Sequence, residues 1–236
     1  MIMKKQAVVV AIGMLGVSMA FAAPKHARMP LKNDTQRVSY ILGLQAGQSF
    51  KKVGVKLDQR AFIKGMNTGT TGTKPLLTVQ QMQTVMMRFK TALAIKLKAK
   101  VATLAARNLA KGTAFLAANA KKSGIKTLSS GIQYKVIKKG TGMMPKATDK
   151  VTVDYEGSTI NGIVFDSSYK RGTPATFPLN GVIKGWTDAL SHMKKGATWM
   201  IYIPAALAYG ANGQPPVIGP NEALVFKVHL IKINSK

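Results

Sequence analysis

The segment from Thr78 to Lys122 constrains the fold most, because its composition and spacing predict one uninterrupted helix. It contains no proline and a single glycine, Gly112, and it is rich in Ala, Leu, Met, Lys and Gln, which favour helices. A capping box is indicated by the hydroxyl of Thr78 with Gln81 three residues later, and Gly124 supplies a stop signal. At 1.5 Å per residue, such a helix is about 65 Å long. A helix of that length cannot be buried within a small globule.

Before this segment the sequence predicts two shorter helices. Between Asn33 and Gly65 apolar residues recur at helical spacing in two stretches, which Gly54 separates. The following run, Thr68–Thr73, contains only Gly and Thr and therefore predicts a loop.

After Gly131 the pattern changes from helical spacing to alternation. From Val151 to Tyr155 apolar and polar residues alternate, which is typical of a half-buried strand. One short helix fits this part, from Trp186 to Met193. Because strands outnumber helices, we expect an antiparallel sheet with one helix packed on it, which is the α+β class. The predicted strands are Gln133–Ile137, Val151–Tyr155, Trp199–Ile203 and Leu224–Ile233.

The composition adds a strong basic charge and excludes thiol chemistry. The chain has 236 residues, of which 35 are Lys or Arg and 8 are Asp or Glu, so its formal net charge is +27. Residues 23–130 hold 20 basic and 2 acidic residues, so most of the excess precedes the α+β part. The absence of cysteine excludes disulfides, thiol catalysis, iron–sulfur clusters, cysteine-ligated zinc and a lipid-modified bacterial N-terminus.

Residues 1–22 are typical of a signal peptide. Lys4 and Lys5 begin the segment, an apolar run follows, and residues 20–22 fit a small-x-small cleavage site. The alternative is an uncleaved membrane anchor, for which the run of residues 7–23 is slightly short. We expect an exported mature chain, located in the periplasm, at the outer membrane or cell surface, or secreted.

Five short runs in the α+β part carry a family resemblance. They are Val151–Gly157, Gly162–Ser168, Val182–Trp186, Ala208–Gly210 and Ala223–Phe226. In this order and spacing they resemble the FKBP family of peptidyl-prolyl cis–trans isomerases, over residues 131–233. No single run would support this interpretation, but five in register do.

The sequence upstream resembles one group within that family. Val38–Gly43, Phe50–Lys52, Ala61–Met66 and the long helix are similar to the macrophage infectivity potentiator (Mip) group of exported bacterial isomerases. In that group an N-terminal helical module makes a homodimer, and a long helix carries each FKBP domain away from the dimer centre. The implied parts are a signal peptide (1–22), an N-terminal helical dimerisation module (23–77), a long connecting α-helix (78–124) and an FKBP domain with a twisted antiparallel β-sheet wrapped on a short α-helix (125–236).

The implied activity needs an apolar pocket rather than a nucleophile, a metal or a cofactor. Rotation about the X-Pro amide has a barrier of about 20 kcal/mol, and a dry pocket lowers it by favouring the twisted amide. The resemblance places Trp186 under the proline ring and Asp166 facing the twisted carbonyl, with Tyr155 and Arg171 holding that carboxylate. The implied catalytic residues are Tyr155, Phe165, Asp166 and Tyr209, and the implied substrate-binding residues are Arg171, Val182, Ile183, Trp186, Val217, Ile218 and Phe226.

Two further features concern how a substrate would be held. The backbone N–H of Ile183 and the hydroxyl of Tyr209 would anchor the substrate backbone, and the loop 210–220 would form a flap.

Two positions depart from the common family pattern, since Ala175 stands where an aromatic is frequent and Gln214 where histidine is frequent. The implied partners are proline-containing polypeptides, FKBP-directed macrolide inhibitors and a second copy of the chain.

Other interpretations of the same residues stay open. Buried aromatic residues are usually core, and methionines such as Met82 and Met86 fit a dimer seam or the interior of one chain. The nine basic residues between Arg88 and Lys122 form either a solvated face or a surface for an anionic envelope or host polyanion, in which case the isomerase would be secondary. Nucleic acid ranks low, because few aromatic residues are interleaved with this charge.

Overall fold

A computed structural model describes residues 30–234, so the predicted signal peptide lies outside the described residues. The chain divides into two compact units between Lys74 and Pro75. The first contains two helices, and the second contains the long helix and the sheet. The domain boundaries expected from the sequence stay a prediction.

The first unit consists of α1, Asp34–Val53, and α2, Gln59–Thr71. Asn33 caps α1 by accepting a hydrogen bond from the backbone N–H of Gln36, and Gly54 ends it in the left-handed conformation with φ 70°. Both signals were readable in the sequence because caps depend on local residues only.

The predicted loop at Thr68–Thr73 is wrong in its first part, because α2 continues to Thr71. The hydroxyl of Thr68 donates to the carbonyl of Lys64 at 2.9 Å, and that of Thr71 donates to the carbonyl of Asn67 at 2.7 Å. Threonine hydroxyls that bond back to the preceding turn are satisfied within a helix, so the low propensity of this run did not end it.

The long helix, α3, is confirmed and runs from Val79 to Ala120. Its 42 residues make it about 63 Å long. Thr78 and Gln81 form the expected capping box, with both reciprocal hydrogen bonds present. The helix ends before Gly124, which lies in the next turn with φ 80°. Among residues 30–234 no helix is apolar enough over a sufficient length to cross a bilayer.

Small and polar side chains join the C-terminal half of α3 to the sheet domain. Asn119 is 1% exposed, and its amide donates to Oε1 of Gln133 at 2.9 Å. Gln133 in turn donates through Nε2 to the carbonyl of Leu116 at 2.8 Å. A Cβ on Gly112 would lie 3.0 Å from Cβ of Ala223, so the single glycine of the helix marks a close approach.

Within the described residues, seven antiparallel strands form one sheet in the order β1-β2-β6-β7-β3-β4, with β5 also paired to β3. The α+β prediction is confirmed, but three short strands and a one-turn helix were not predicted. Runs of three or four residues are too short to show a readable alternation. The strands are β1 Ile125–Thr127, β2 Gln133–Lys138, β3 Lys150–Thr159, β4 Val164–Ser167, β5 Ala175–Pro178, β6 Thr198–Ile203 and β7 Leu224–Asn234.

Two short strands pair with the same edge of β3. Its first residues pair with β5 and its later ones with β4. Between these pairings the backbone N–H of Tyr155 donates to Oγ of Ser168 at 2.8 Å, and that hydroxyl donates to the carboxylate of Asp154 at 2.9 Å. Ser168 begins the one-turn helix α4, Ser168–Arg171. A side chain therefore closes the gap in the ladder and fixes the position of Tyr155.

The second helix of this domain, α5, covers Lys184–Ser191 and packs on the sheet through Trp186, Ala189 and Leu190, all buried. Gly185 permits this approach, because a Cβ there would collide with Ile203. The core includes Trp186 together with the inward-facing residues of β3, β6 and β7, so the predicted helix on the sheet is confirmed.

Candidate active site

Four aromatic rings surround the N-terminal end of α5. The ring centroid of Trp186 lies 5.1 Å from that of Tyr155, 5.4 Å from that of Phe226 and 5.9 Å from that of Phe177, each edge to face. This geometry suits the aromatic quadrupole. Trp186 is 4% exposed and Phe226 is 4% exposed, so the cluster excludes most water.

Phe165 extends the cluster from strand β4. Its ring centroid lies 5.7 Å from that of Phe226, again edge to face. Gly157 on the neighbouring β3 makes room for both rings, because a Cβ there would lie 2.7 Å from each of them. A glycine is therefore required in the middle of β3, where its lack of a side chain would otherwise weaken the strand.

Asp166 follows Phe165 directly, and two donors hold its carboxylate. The hydroxyl of Tyr155 donates to one oxygen, and the guanidinium of Arg171 donates to the other. Arg171 also donates to the Tyr155 hydroxyl at 3.1 Å and lies over its ring, 5.6 Å from the centroid. The three side chains form a closed polar network beside the aromatic cluster.

The surroundings of Tyr155 and Tyr209 keep both hydroxyls protonated. Burial, followed by the hydrogen bond to Asp166, raises the pKa of Tyr155 to about 12. Burial raises the pKa of Tyr209 as well, and the charge of Asp166 adds to it. The hydrogen bonds to Tyr155 and Asp166 raise the pKa of Arg171. Near neutral pH the site therefore contains the two hydroxyl donors of Tyr155 and Tyr209 and the guanidinium cation of Arg171.

Val182 and Ile183 lie at the entrance to α5, both half-buried and packed against the core. The carbonyl of Ile183 accepts from the backbone N–H of Trp186 at 2.9 Å. Among residues 30–234 the Ile183 N–H donates no backbone hydrogen bond. A free backbone donor beside an apolar cluster can bind a carbonyl of an extended peptide.

The two predicted flap residues lie in different surroundings. Ile218 is 2% exposed and belongs to the same hydrophobic cluster as Trp186, whereas Val217 is 49% exposed. Tyr209, at the start of this loop, packs against the cluster and is half-buried. Contacts thus bring the predicted residues other than Val217 into one region, and the roles of all of them stay a prediction.

Sequence reasoning missed Phe177 and Ser168. Phe177 contacts both Trp186 and Tyr155 edge to face, and it lies two residues after Ala175 on β5, so both point to the same side. Alternation along this short strand was the available signal. Ser168 ends the motif run Gly162–Ser168, but its role was not predictable because it depends on a gap between two strands.

Comparisons with known proteins agree with this geometry. The sequence model for FKBP-type peptidyl-prolyl cis-trans isomerase matches residues 142–231, and that for the domain amino terminal to FKBP-type peptidyl-prolyl isomerase matches residues 35–136. The chain is 47% identical to the peptidyl-prolyl cis-trans isomerase Mip of Coxiella burnetii over 222 residues, which is 94% of this chain and 96% of that protein. It is 45% identical to the outer membrane protein MIP of Legionella longbeachae over 98% of both.

The comparison of folds points to the same family. The crystal structure of FkpA from Escherichia coli matches with a TM-score of 0.71 at 39% sequence identity, covering 87% of this chain and 99% of that one. Both halves of the chain, the long helix and the sheet domain therefore have counterparts in known isomerases. The chain belongs to the FKBP-type peptidyl-prolyl cis–trans isomerases, within the macrophage infectivity potentiator group.

Proposed function

We propose that the chain is an exported, dimeric isomerase that rotates X-Pro amides in the aromatic cluster around Trp186 and assists the folding of exported proteins. The observation that carries this proposal is the carboxylate of Asp166, held by Tyr155 and Arg171 at the edge of that cluster. The side chain of Asp166 is 42% exposed, so this ordered carboxylate is accessible to a substrate that lies on the cluster.

The cluster favours the twisted amide over the planar one. A planar amide has charge separation between nitrogen and oxygen, and water stabilises that separation. Twisting removes the resonance, so the twisted amide loses less on transfer to an apolar site. Each 1.36 kcal/mol of preference for the twisted state accelerates rotation about tenfold. The proline ring would lie on Trp186, the largest apolar face of the cluster.

Asp166 adds to this preference. Its negative charge, directed at the substrate carbonyl oxygen, repels the more negative oxygen of the planar amide more strongly than that of the twisted one. Tyr155 and Arg171 hold the carboxylate in that direction. The Ile183 N–H and the Tyr209 hydroxyl would donate to backbone carbonyls on either side of the proline and keep the peptide in register.

The dimer in this proposal is supported by exposed apolar side chains. On α3 they recur at Val79, Met82, Met86 and Phe89, each at least 38% exposed, and this spacing places them along one stripe. Large exposed apolar patches mark interaction sites. Two isomerase domains in one dimer would bind a client at two points, which raises the effective affinity of the dimer for that client. This is the basis for chaperone-like binding.

Export is supported by the signal-like residues 1–22 and by the name of the Legionella relative, an outer membrane protein.

A second candidate function is attachment to an anionic surface. It is favoured by the nine basic and no acidic residues from Arg88 to Lys122. Binding to vesicles with anionic lipid, absent on neutral vesicles and lost as salt is raised, would support it. Binding insensitive to salt would contradict it.

The catalytic proposal is tested by isomerisation of a short X-Pro peptide with residues 23–236. We expect Asp166→Ala to lower kcat/KM by at least about tenfold, since it removes a charge aimed at the reacting carbonyl. Asp188→Ala, on the outer side of α5 beside His192, is the matched control and should retain activity. An FKBP-directed macrolide should inhibit the parent chain. Equal activity of the two alanine variants would contradict the assigned role of Asp166.

A further inference from the structure

The loop between Tyr209 and Ala223 is braced by its own backbone. Gln214 and Ile218 exchange backbone hydrogen bonds of 2.8 and 3.0 Å, and the N–H of Asn221 donates to the carbonyl of Gly210 at 2.8 Å. Ile218 is buried and Val217 is exposed, so one side chain anchors the loop while its neighbour faces solvent. The loop is therefore held together by its own hydrogen bonds and fixed to the core by Ile218.

One side chain of the long helix bonds to this loop. Asn108 of α3 is 9% exposed, and its Nδ2 donates to the carbonyl of Pro220 at 2.9 Å across 112 residues of sequence. Pro220 is buried, and a buried carbonyl needs a donor. Loss of the Asn108 amide would therefore leave this carbonyl without a partner.

The approach of the loop to the helix is close at the neighbouring residue as well. A Cβ on Gly219 would lie 3.0 Å from Nδ2 of Asn108, so a larger residue there would press on the amide. The N–H of Gly219 donates to the carboxylate of Glu222 at 3.0 Å, which holds the loop end in the orientation that presents the Pro220 carbonyl. The contact is specific in distance and direction.

We propose that Asn108 is a positioning residue, which sets the height of the loop 210–222 above the aromatic cluster and thereby the affinity for substrate. This inference rests on the proposed function, in which the Tyr209 hydroxyl donates to the peptide, and on the sequence-based expectation that Val217 contacts it. The long helix then serves the reaction as well as the architecture. Asn108 touches no reacting atom, so its loss should change KM rather than kcat.

The experiment compares Asn108→Leu with Asn119→Leu in residues 23–236. Both replace a buried, hydrogen-bonded asparagine of α3, but Asn119 bonds to the sheet and not to the loop. We expect Asn108→Leu to raise KM for an X-Pro peptide about 2- to 10-fold, the equivalent of one hydrogen bond, with kcat changed less than about twofold. Hydrogen exchange of the Gln214 and Ile218 amides should accelerate in this variant only.

Each outcome decides the question. Equal KM and equal loop exchange in the two leucine variants would overturn the positioning role and leave Asn108 as a packing residue. If Asn108→Leu does not fold, Asn108→Ala carries the same comparison with a smaller change of volume. Failure of the proposed function would look different. In that case Asp166→Ala would have the same activity as the parent chain, whatever the Asn108 variants do.

Discussion

The two halves of α3 differ in the side chains they bury. The C-terminal half contacts the sheet domain, and its buried residues are Asn108, Gly112 and Asn119, two amides and a glycine. The N-terminal half exposes large apolar residues instead, among them Val79, Met82, Val85, Met86, Met87, Phe89 and Ile95. Within one chain, the residues that this helix buries are therefore small or polar, and large apolar residues such as Met86 stay exposed.

This difference shows which contacts set the position of a long helix on a domain. The Leu116 carbonyl accepts from Gln133, so the orientation of the Gln133 amide is determined and its oxygen must face Asn119. Such a network is satisfied in one register only. The apolar stripe of the other half sets no comparable register within the described chain, and in our proposal a second copy covers it.

The largest effect is expected from the exposed half. Met82→Glu with Met86→Glu should raise the dimer dissociation constant by at least about 100-fold, because two carboxylates would be buried in an apolar interface. Analytical ultracentrifugation measures this. The control Met82→Leu with Met86→Leu should keep the dimer, and peptide turnover should be unchanged in both. Dimers that persist in the glutamate variant would mean that this stripe is not the interface.

A smaller effect is expected at the close approach in the docked half. Gly112→Leu should lower the free energy of unfolding by about 2–3 kcal/mol, since the new side chain meets Ala223 in a packed contact. Ala92→Leu, at an exposed position of the same helix, should change it by less than about 0.5 kcal/mol. Urea denaturation compares them, and equal values would show that the two halves do not differ in packing.

The smallest effect is expected from the buried amide. Asn119→Leu should lower the free energy of unfolding by about 1–2 kcal/mol, because the oxygen of Gln133 loses its donor. Adding Gln133→Leu should then cost less than it does in the parent chain, since the Asn119–Gln133 hydrogen bond is already lost and only the bond to the Leu116 carbonyl remains to be broken. Thermal and urea unfolding of the single and double variants measure the coupling. Strictly additive losses would indicate that the hydrogen bond contributes nothing.

Features that depend on neighbouring residues could be predicted from the sequence. The capping box of α3, the end of α1 at Gly54 and the alternation of β3 all involve residues a few positions apart. The Thr68–Thr73 loop shows the limit, because local hydroxyl bonds extended α2 against propensity. The motif runs identified the aromatic residues of the cluster except Phe177, but they could not reveal that Gly157 makes room for Phe165 and Phe226.

The sequence by itself determined the long helix, the α+β class and the family, because helix propensity, caps and motif spacing are local or linear properties. Only the tertiary structure decided that Ser168 closes the gap beside Tyr155, that Phe177 joins the aromatic cluster and that Asn108 reaches Pro220. These contacts join residues from 9 to 112 positions apart. Their partners exist only after the chain has folded, because each depends on where an unrelated segment happens to pack.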